Sequence, residues 1–220
     1  MSPLDLVRAK RIVLAAGKHD LPTVADLVAG EPVRGNWWSH PKGGDIFRVL
    51  NDLDDHEEVR TCRLVGGRVT FVHASLWPAV IRLAGDVSRV KETLRGLPAV
   101  AKRLHQATVL AGAEGLRTDR APRLKGGRRP LELALLVQTD EVHTESGKHA
   151  AVLKAWDHVG TARERRAAAA MSLEEAVDAI VEALLGAAQG ATVGDVRRWI
   201  PVDRSAIALS AERISARSGR

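Results

Sequence analysis

Two adjacent tryptophans stand beside a histidine and a lysine in a short glycine-bounded stretch, Gly35-Asn36-Trp37-Trp38-Ser39-His40-Pro41-Lys42-Gly43. Aromatic rings next to cations can stack on bases or enter a groove while the cation meets a phosphate. The rings can instead close a small hydrophobic core, with each indole N–H hydrogen bonded. We favour core packing for one or both rings. The candidate nucleic-acid-binding residues of this stretch are Trp37, Trp38, His40 and Lys42.

A second group of candidate contacts consists of cations outside this stretch. Each phosphate that a lysine or arginine neutralises releases a counterion, so such side chains favour binding to nucleic acid. They lie on a predicted third helix, on a predicted β-hairpin, and in a polar loop over residues 117–129. The candidate nucleic-acid-binding residues in these places are Arg48, Arg60, Arg63, Arg68, Arg123, Lys125, Arg128 and Arg129.

Carboxylates and imidazoles concentrate between residues 140 and 158, where they could hold a metal or transfer protons. His143 and His149 are six positions apart, which matches neither the helical pair of a zinc protease nor a common zinc-finger spacing. We therefore favour a solvated polar segment, expect no metal and no cofactor, and assign no catalytic residue. The cluster comprises Asp140, Glu141, His143, Glu145, His149, Asp157 and His158.

Composition narrows the classes of protein. The 220 residues carry 33 Lys and Arg against 27 Asp and Glu, a net charge of +6, which favours a polyanionic partner over a merely soluble surface. Cys62 is the only cysteine, which excludes an intrachain disulfide and a cysteine-rich zinc site. The sequence has no signal-peptide pattern, no apolar run of about 18 residues, and no phosphate-binding glycine loop. We expect a cytoplasmic protein that does not bind membranes.

Helical and strand patterns alternate over the first 73 residues. Ser2-Pro3-Leu4-Asp5 is typical of a helix start, and the apolar spacing predicts a helix that continues through Leu14 to a stop at Gly17. The cap at Thr23 predicts a second helix ending at Gly30, and the pattern after Asp45 predicts a third over residues 45–55. β-Branched runs at 59–65 and 68–73, joined by Gly66-Gly67, predict a hairpin with a two-residue turn.

Three helices followed by a hairpin is the order of a winged helix-turn-helix, in which the hairpin is the wing beside the recognition helix. For the rest of the chain, the patterns predict a helical pair over 87–116, followed by the polar loop. A run at 131–137 fits either strand or helix, and the capping box at Ser172 predicts a further helix. Thr192-Val193-Gly194-Asp195 then repeats the spacing of Thr23-Val24-Ala25-Asp26.

These patterns predict a mainly α protein with a small β-hairpin wing. We expect a winged helix-turn-helix domain over residues 1–86, a helical connector and basic loop over 87–130, and a C-terminal helical domain with a helix-turn-helix-like segment over 131–220.

Residues 35–47, together with Val69-Thr70-Phe71-Val72-His73 and Leu76-Trp77-Pro78, resemble a bacterial family that is uncharacterised and winged-helix-like. The resemblance rests mainly on the Gly-x-Trp-Trp-x-His-Pro-x-Gly motif, and residues 143–149 show a weaker similarity to the same family. The resemblance implies no activity and adds no catalytic residue.

The sequence thus predicts a winged-helix protein that binds nucleic acid, in particular double-stranded DNA. Two alternatives are a protein-interaction module, because the same fold also binds proteins, and a nucleic-acid-processing enzyme of the DNA-repair or nuclease type. Acidic residues weigh against deep insertion of the third helix, because phosphates would repel them. They are Asp52, Asp54, Asp55, Glu57 and Glu58.

Overall fold

The computed structural model of the chain describes residues 1–143 and 149–218. Helices hold 60% of the residues and strands 11%, which confirms a mainly α protein with small antiparallel sheets. The chain packs as two compact units. Met1–Ala79 and Glu174–Arg220 form one, called here the split unit, and Val80–Leu173 form the central unit. This division differs from the predicted boundaries at residues 86 and 130, which follow the chain in linear order.

Helices and strands alternate in the N-terminal part of the split unit. The elements are α1 (Pro3–Lys10), β1 (Ile12–Leu14), α2 (Val24–Ala29), α3 (Gly43–Asp54), β2 (Val59–Cys62) and β3 (Thr70–His73). The strands form one antiparallel sheet in the order β1-β3-β2. Val7, Val24 and Phe71 are buried in a core that the three helices share with this sheet.

The first helix is shorter than its apolar spacing predicts. Ser2 and Asp5 form the expected capping box, but the helix ends at Lys10 because Arg11 adopts a left-handed conformation with φ of 61°. Residues 12–14 then pair with β3 instead of continuing the helix. The prediction of helix through Leu14 was wrong, because a run of three buried apolar residues fits a helical stripe and a buried strand equally well.

The hairpin turn at Gly66-Gly67 is confirmed. Both glycines have positive φ, 56° and 68°, and the Val65 carbonyl accepts a hydrogen bond from the Arg68 N–H at 2.9 Å. Regular pairing is shorter than predicted and ends at Cys62 opposite Thr70. Between this pair and the turn, two residues of one strand face one residue of the other, so the hairpin carries a bulge.

The central part of the chain contains five helices and three strands among its described residues. They are α4 (Trp77–Ala84), α5 (Val87–Gly96), α6 (Ala99–Leu110), β4 (Leu116–Arg117), α7 (Arg128–Leu133), β5 (Gln138–His143), β6 (His149–Lys154) and α8 (Ala162–Ala169). The strands pair antiparallel in the order β4-β6-β5. Residues 117–129, predicted to be irregular, instead form two 3₁₀ turns, Thr118–Arg120 and Pro122–Gly127, and the start of α7.

A half-buried arginine joins three elements of the central unit. The Arg89 guanidinium donates hydrogen bonds to the carbonyls of Leu83 and Ala84 at the end of α4, and to those of Ala134 and Leu135 after α7, all at 2.8–3.0 Å. Burial lowers the pKa of Arg89 to about 10, against the opposing charge of Asp86. One side chain thus donates to four carbonyls at or beyond helix ends, where helical partners are scarce.

The chain returns to the split unit with α9 (Leu173–Ala187), α10 (Val193–Trp199) and α11 (Arg204–Ser218). The predicted cap at Thr192 is confirmed as a capping box with Asp195. The buried Asp178 of α9 accepts hydrogen bonds from Arg213 and Arg217 of α11.

Candidate functional site

The tryptophan motif forms a fixed turn in front of α3. Gly35 has φ of +79°, which favours glycine, and the Asn36 side chain accepts a hydrogen bond from the Trp38 N–H at 3.1 Å. The turn continues as a 3₁₀ helix, Trp37–Ser39. A Cβ on Gly43 would lie 2.9 Å from the Trp38 carbonyl oxygen, so only glycine lets the first turn of α3 approach this closely. The motif therefore holds the two tryptophans in one position.

Three aromatic rings form a continuous row of contacts at the surface, in which Trp37 and Trp38 are stacked. The ring centroids of Trp37 and Trp38 are 4.2 Å apart with planes 23° from parallel, and Trp38 lies 4.9 Å from Phe47 of α3. Trp38 is 57% exposed and Phe47 is 43% exposed. The expected core packing is wrong for Trp38, because its neighbours are other surface rings.

The two polar residues of the motif bond within the protein. His40 accepts a hydrogen bond from the Lys42 N–H on Nδ1 at 3.1 Å, and its Nε2 lies 3.4 Å from a carboxylate oxygen of Glu31. The Lys42 ammonium donates to the Ala29 carbonyl at 2.8 Å and to the Val28 carbonyl at 3.4 Å. A lysine at this place stabilises the end of α2, where carbonyls lack helical partners.

The exposed surface of α3 is acidic. Arg48 donates to Asp45 at 2.8 Å, so the one arginine of the helix is paired within it. Asp52, Asp54 and Asp55 are exposed along the same helix and its end. This surface repels phosphate, contrary to what a recognition helix in a DNA groove requires.

The hairpin arginines are bonded close to their own backbone. Arg60 donates to the carbonyls of Glu57 and Val59, both at 2.8 Å. Arg63 is half-buried and lies 3.5 Å from the Gly67 carbonyl oxygen, whereas Arg68 is exposed.

The tip of the hairpin is also held. The Gly66 N–H donates a hydrogen bond to the Trp199 carbonyl at 2.7 Å, at the end of α10. The hairpin is thus fixed to the C-terminal helices of its own unit.

The basic stretch of the central unit presents its cations differently. Arg120, Arg123, Lys125 and Arg129 are exposed and come from two 3₁₀ turns and the first residues of α7. We call them the basic turns. The neighbouring Arg128, in contrast, pairs with the buried Glu132 at 2.7 Å, so it is a structural residue.

A close backbone contact holds the basic turns in place. A Cβ on Gly127 would lie 2.8 Å from the Val100 carbonyl oxygen and 2.9 Å from Cα of Ala101, both in α6. Exposed Lys102 and Arg103 follow in the same helix. The contact identifies glycine as the residue that lets this stretch lie against α6.

The excess positive charge belongs to one unit. The central unit has 17 Lys and Arg against 10 Asp and Glu, a net charge of +7, whereas the split unit has 16 against 17, a net charge of −1. The sequence total of +6 conceals this separation. The excess of cations therefore lies outside the helices and hairpin to which the order of elements points.

The carboxylate and imidazole cluster at 140–158 lies on β5, β6 and the turn that follows them. Asp140 pairs with Lys154 at 3.0 Å, and Asp157 lies 3.7 Å from His158. Glu145 lies outside the described residues, as do the side chains of His143 and His149. Over the positions that the structure describes, no three such residues come together as ligands for a metal.

A cavity that the sequence did not indicate lies in the central unit. It has a volume of about 270 Å³ and is mainly apolar, with Lys91, His105 and Asp157 at its wall. Burial lowers the pKa of His105, while the Asp157 carboxylate opposes this. The three polar residues come from separate parts of the chain, so no local motif marks them.

A comparison with known proteins gave no match to a family model, a curated protein or a solved structure. Within the described part of the chain, no helix has both the length and the apolar character needed to cross a membrane.

Proposed function

We propose that this protein is a winged-helix nucleic-acid-binding protein in which the basic turns of the central unit, rather than α3 and the hairpin, contact the phosphates. The winged-helix assignment is supported by the order α1-β1-α2-α3-β2-β3 and by the sheet order β1-β3-β2, in which the hairpin of β2 and β3 follows the third helix as a wing does.

The separation of charge carries the proposal. Nucleic-acid affinity depends on cations that reach phosphates and thereby release counterions. A cation that is already bonded within the protein contributes less to this affinity. Arg120, Arg123 and Lys125 are exposed, and no ion pair of theirs occurs among the residues described. Arg48, Arg60 and Lys42 each bond within the split unit.

The arrangement favours recognition of the backbone rather than of base sequence. Three of the four cations lie on short 3₁₀ turns and the fourth lies in the first turn of α7, so no helix or ribbon that could fill a groove carries them all. Duplex DNA has the higher charge density along its axis, so it is the expected partner. We expect weak sequence preference.

A salt series on matched variants tests the proposal. The triple variant Arg120→Ala/Arg123→Ala/Lys125→Ala and the triple variant Arg34→Ala/Arg48→Ala/Arg68→Ala remove the same charge from exposed positions of different units. The probe is a labelled duplex of about 20 base pairs, followed by fluorescence anisotropy at increasing salt.

The first variant should reduce the slope of log affinity against log salt by about 2 to 3, since each lost phosphate contact removes about 0.9. The second should leave the slope within about 0.5 of the unmodified protein. Equal losses would mean that overall charge alone matters. No binding to duplex, single-stranded DNA or RNA at low salt would end the nucleic-acid proposal.

A further inference from the structure

The α3 surface combines exposed aromatic rings with unpaired carboxylates, and the proposed function uses neither. We propose that this face binds an arginine- or lysine-bearing segment of another protein. The α3 face is defined by Trp37, Trp38, Phe47, Asn51, Asp52, Asp54 and Asp55. The inference does not rest on nucleic-acid binding by the central unit.

The exposed ring of Trp38 is held in a fixed position. The Asn36 cap and the close contact at Gly43 fix the backbone of Trp38, and stacking against Trp37 and Phe47 fixes its ring. The Trp38 side chain thereby loses its freedom without gaining burial. A fixed, exposed indole loses little further conformational entropy when a partner covers it, which is typical of an interface anchor.

The carboxylates continue from the rings along the helix. Phe47, Asn51 and Asp54 are spaced four and three residues apart and share one side of α3, with Asp55 adjacent. Of the described residues, none forms an ion pair with Asp52, Asp54 or Asp55. A ligand on this face therefore meets aromatic surface at the start of the helix and negative charge toward its end.

Charge complementarity selects the partner. A guanidinium or ammonium is attracted to the face of an indole, and a second cation of the same segment can pair with a carboxylate farther along α3. A guanidinium suits both places, because its planar group stacks on a ring and its N–H groups can also bond a carboxylate. A nucleic acid would stack its bases on Trp38 but bring its phosphates against the aspartates.

Binding of a cationic peptide tests the inference. The probe is a fluorescein-labelled Arg-Gly repeat peptide, and its control is the same peptide with citrulline in place of arginine. Citrulline keeps the length and the planar end group but replaces the charged guanidinium by a neutral urea. Because the whole chain carries +6, nonspecific attraction for this peptide is weak, and binding must come from a local acidic surface.

We expect Trp38→Ala to reduce affinity for the arginine peptide about five- to tenfold, and Asp54→Asn/Asp55→Asn to reduce both the affinity and its salt dependence. Leu209→Ala is the control, because Leu209 of α11 is 53% exposed in the same unit but lies outside the α3 face. It should bind as the unmodified protein does. Thermal unfolding establishes that each variant is folded.

Several outcomes would overturn the inference. They are equal binding of the citrulline peptide, an unchanged affinity in both α3 variants, or loss of single-stranded DNA binding in Trp38→Ala with the peptide unaffected. Sedimentation tests self-association, and a dimer lost in Trp38→Ala would make a second copy the occupant in place of another protein. The triple variant of the basic turns should still bind the peptide, which separates this inference from the proposed function.

Discussion

Residues 34–55, which lead into and form α3, and residues 117–129, which lead into α7, both contain glycines and several cations, yet they expose different side chains. In the first, Lys42 and Arg48 bond to the protein, and the exposed groups are Trp38, Phe47 and the aspartates of α3. In the second, Arg123 and Lys125 are exposed to solvent. The difference teaches that the number of cations in a segment does not measure its attraction for a polyanion. That attraction also depends on whether the cations are already bonded within the protein.

The largest effect should come from comparing a buried tryptophan with the exposed one. Trp77 is 2% exposed, and Trp77→Ala should lower the free energy of unfolding by about 4 kcal/mol through loss of burial and formation of a cavity. Trp38→Ala should cost less than about 1 kcal/mol. Urea denaturation measures both. Similar losses would show that Trp38 is a core residue and would weaken the α3 face as a binding surface.

A bonded and an exposed arginine of the central unit provide the next comparison. Arg89→Ala removes the side-chain donor to four carbonyls and should cost about 3 kcal/mol. Arg123→Ala should change the free energy of unfolding by less than about 0.5 kcal/mol while weakening DNA binding. The contrary outcome, a destabilising Arg123→Ala, would mean that the basic turns carry structure rather than a binding surface.

The carboxylates of the split unit also include a bonded one, Asp178, and an exposed one, Asp54. Burial raises the pKa of Asp178, but the hydrogen bonds and charges of Arg213 and Arg217 outweigh it and hold the pKa below its ordinary value. The stability from this carboxylate is therefore complete above its unfolded pKa of about 4 and is lost as pH falls through the folded value.

Asp178→Asn should cost about 3 kcal/mol at pH 7, and the difference from the unmodified protein should shrink below about pH 4. Asp54→Asn serves as the exposed control and should show neither effect. Denaturation at several pH values is the measurement. A cost for Asp178→Asn that stays constant with pH would assign the effect to packing.

The smallest effect concerns two neighbouring glycines. Gly127→Ala brings a methyl group within 3 Å of α6 backbone and should cost about 2 kcal/mol, whereas Gly126 has open space and Gly126→Ala should be neutral. If Gly127→Ala also weakens DNA binding, the contact with α6 positions the basic turns. An unchanged affinity would show that their charge acts without a fixed position.

Local rules predicted the parts of the fold that depend on a few adjacent residues. The caps at Ser2, Thr23 and Thr192 and the turn at Gly66-Gly67 follow from hydrogen bonds and φ angles within four residues. The missed elements depend on distant partners. β1 is a strand only because β3 pairs with it, and the antiparallel pairing of β5 with β6 was hidden by the polar residues on β5.

The candidate site was predicted in its residue types but not in its arrangement. The sequence around Trp38 is compatible with both a buried and an exposed ring. It also does not distinguish Arg128, which pairs with Glu132, from the exposed Arg123. The four carbonyl contacts of Arg89 involve residues up to 46 positions away, and no local pattern marks them.

The split unit is built from two separate segments of the chain, and this affects how the chain folds. The Gly66–Trp199 hydrogen bond joins these two segments. The central unit is continuous in sequence, so it can form as soon as its own residues are available. The split unit must bring together two segments separated by that whole unit, which is a costly loop closure and a source of slow folding. Until this happens, the sheet of residues 12–73 lacks the C-terminal helices that hold its hairpin tip. A partly folded state with the central unit formed and the split unit open is therefore the expected folding intermediate.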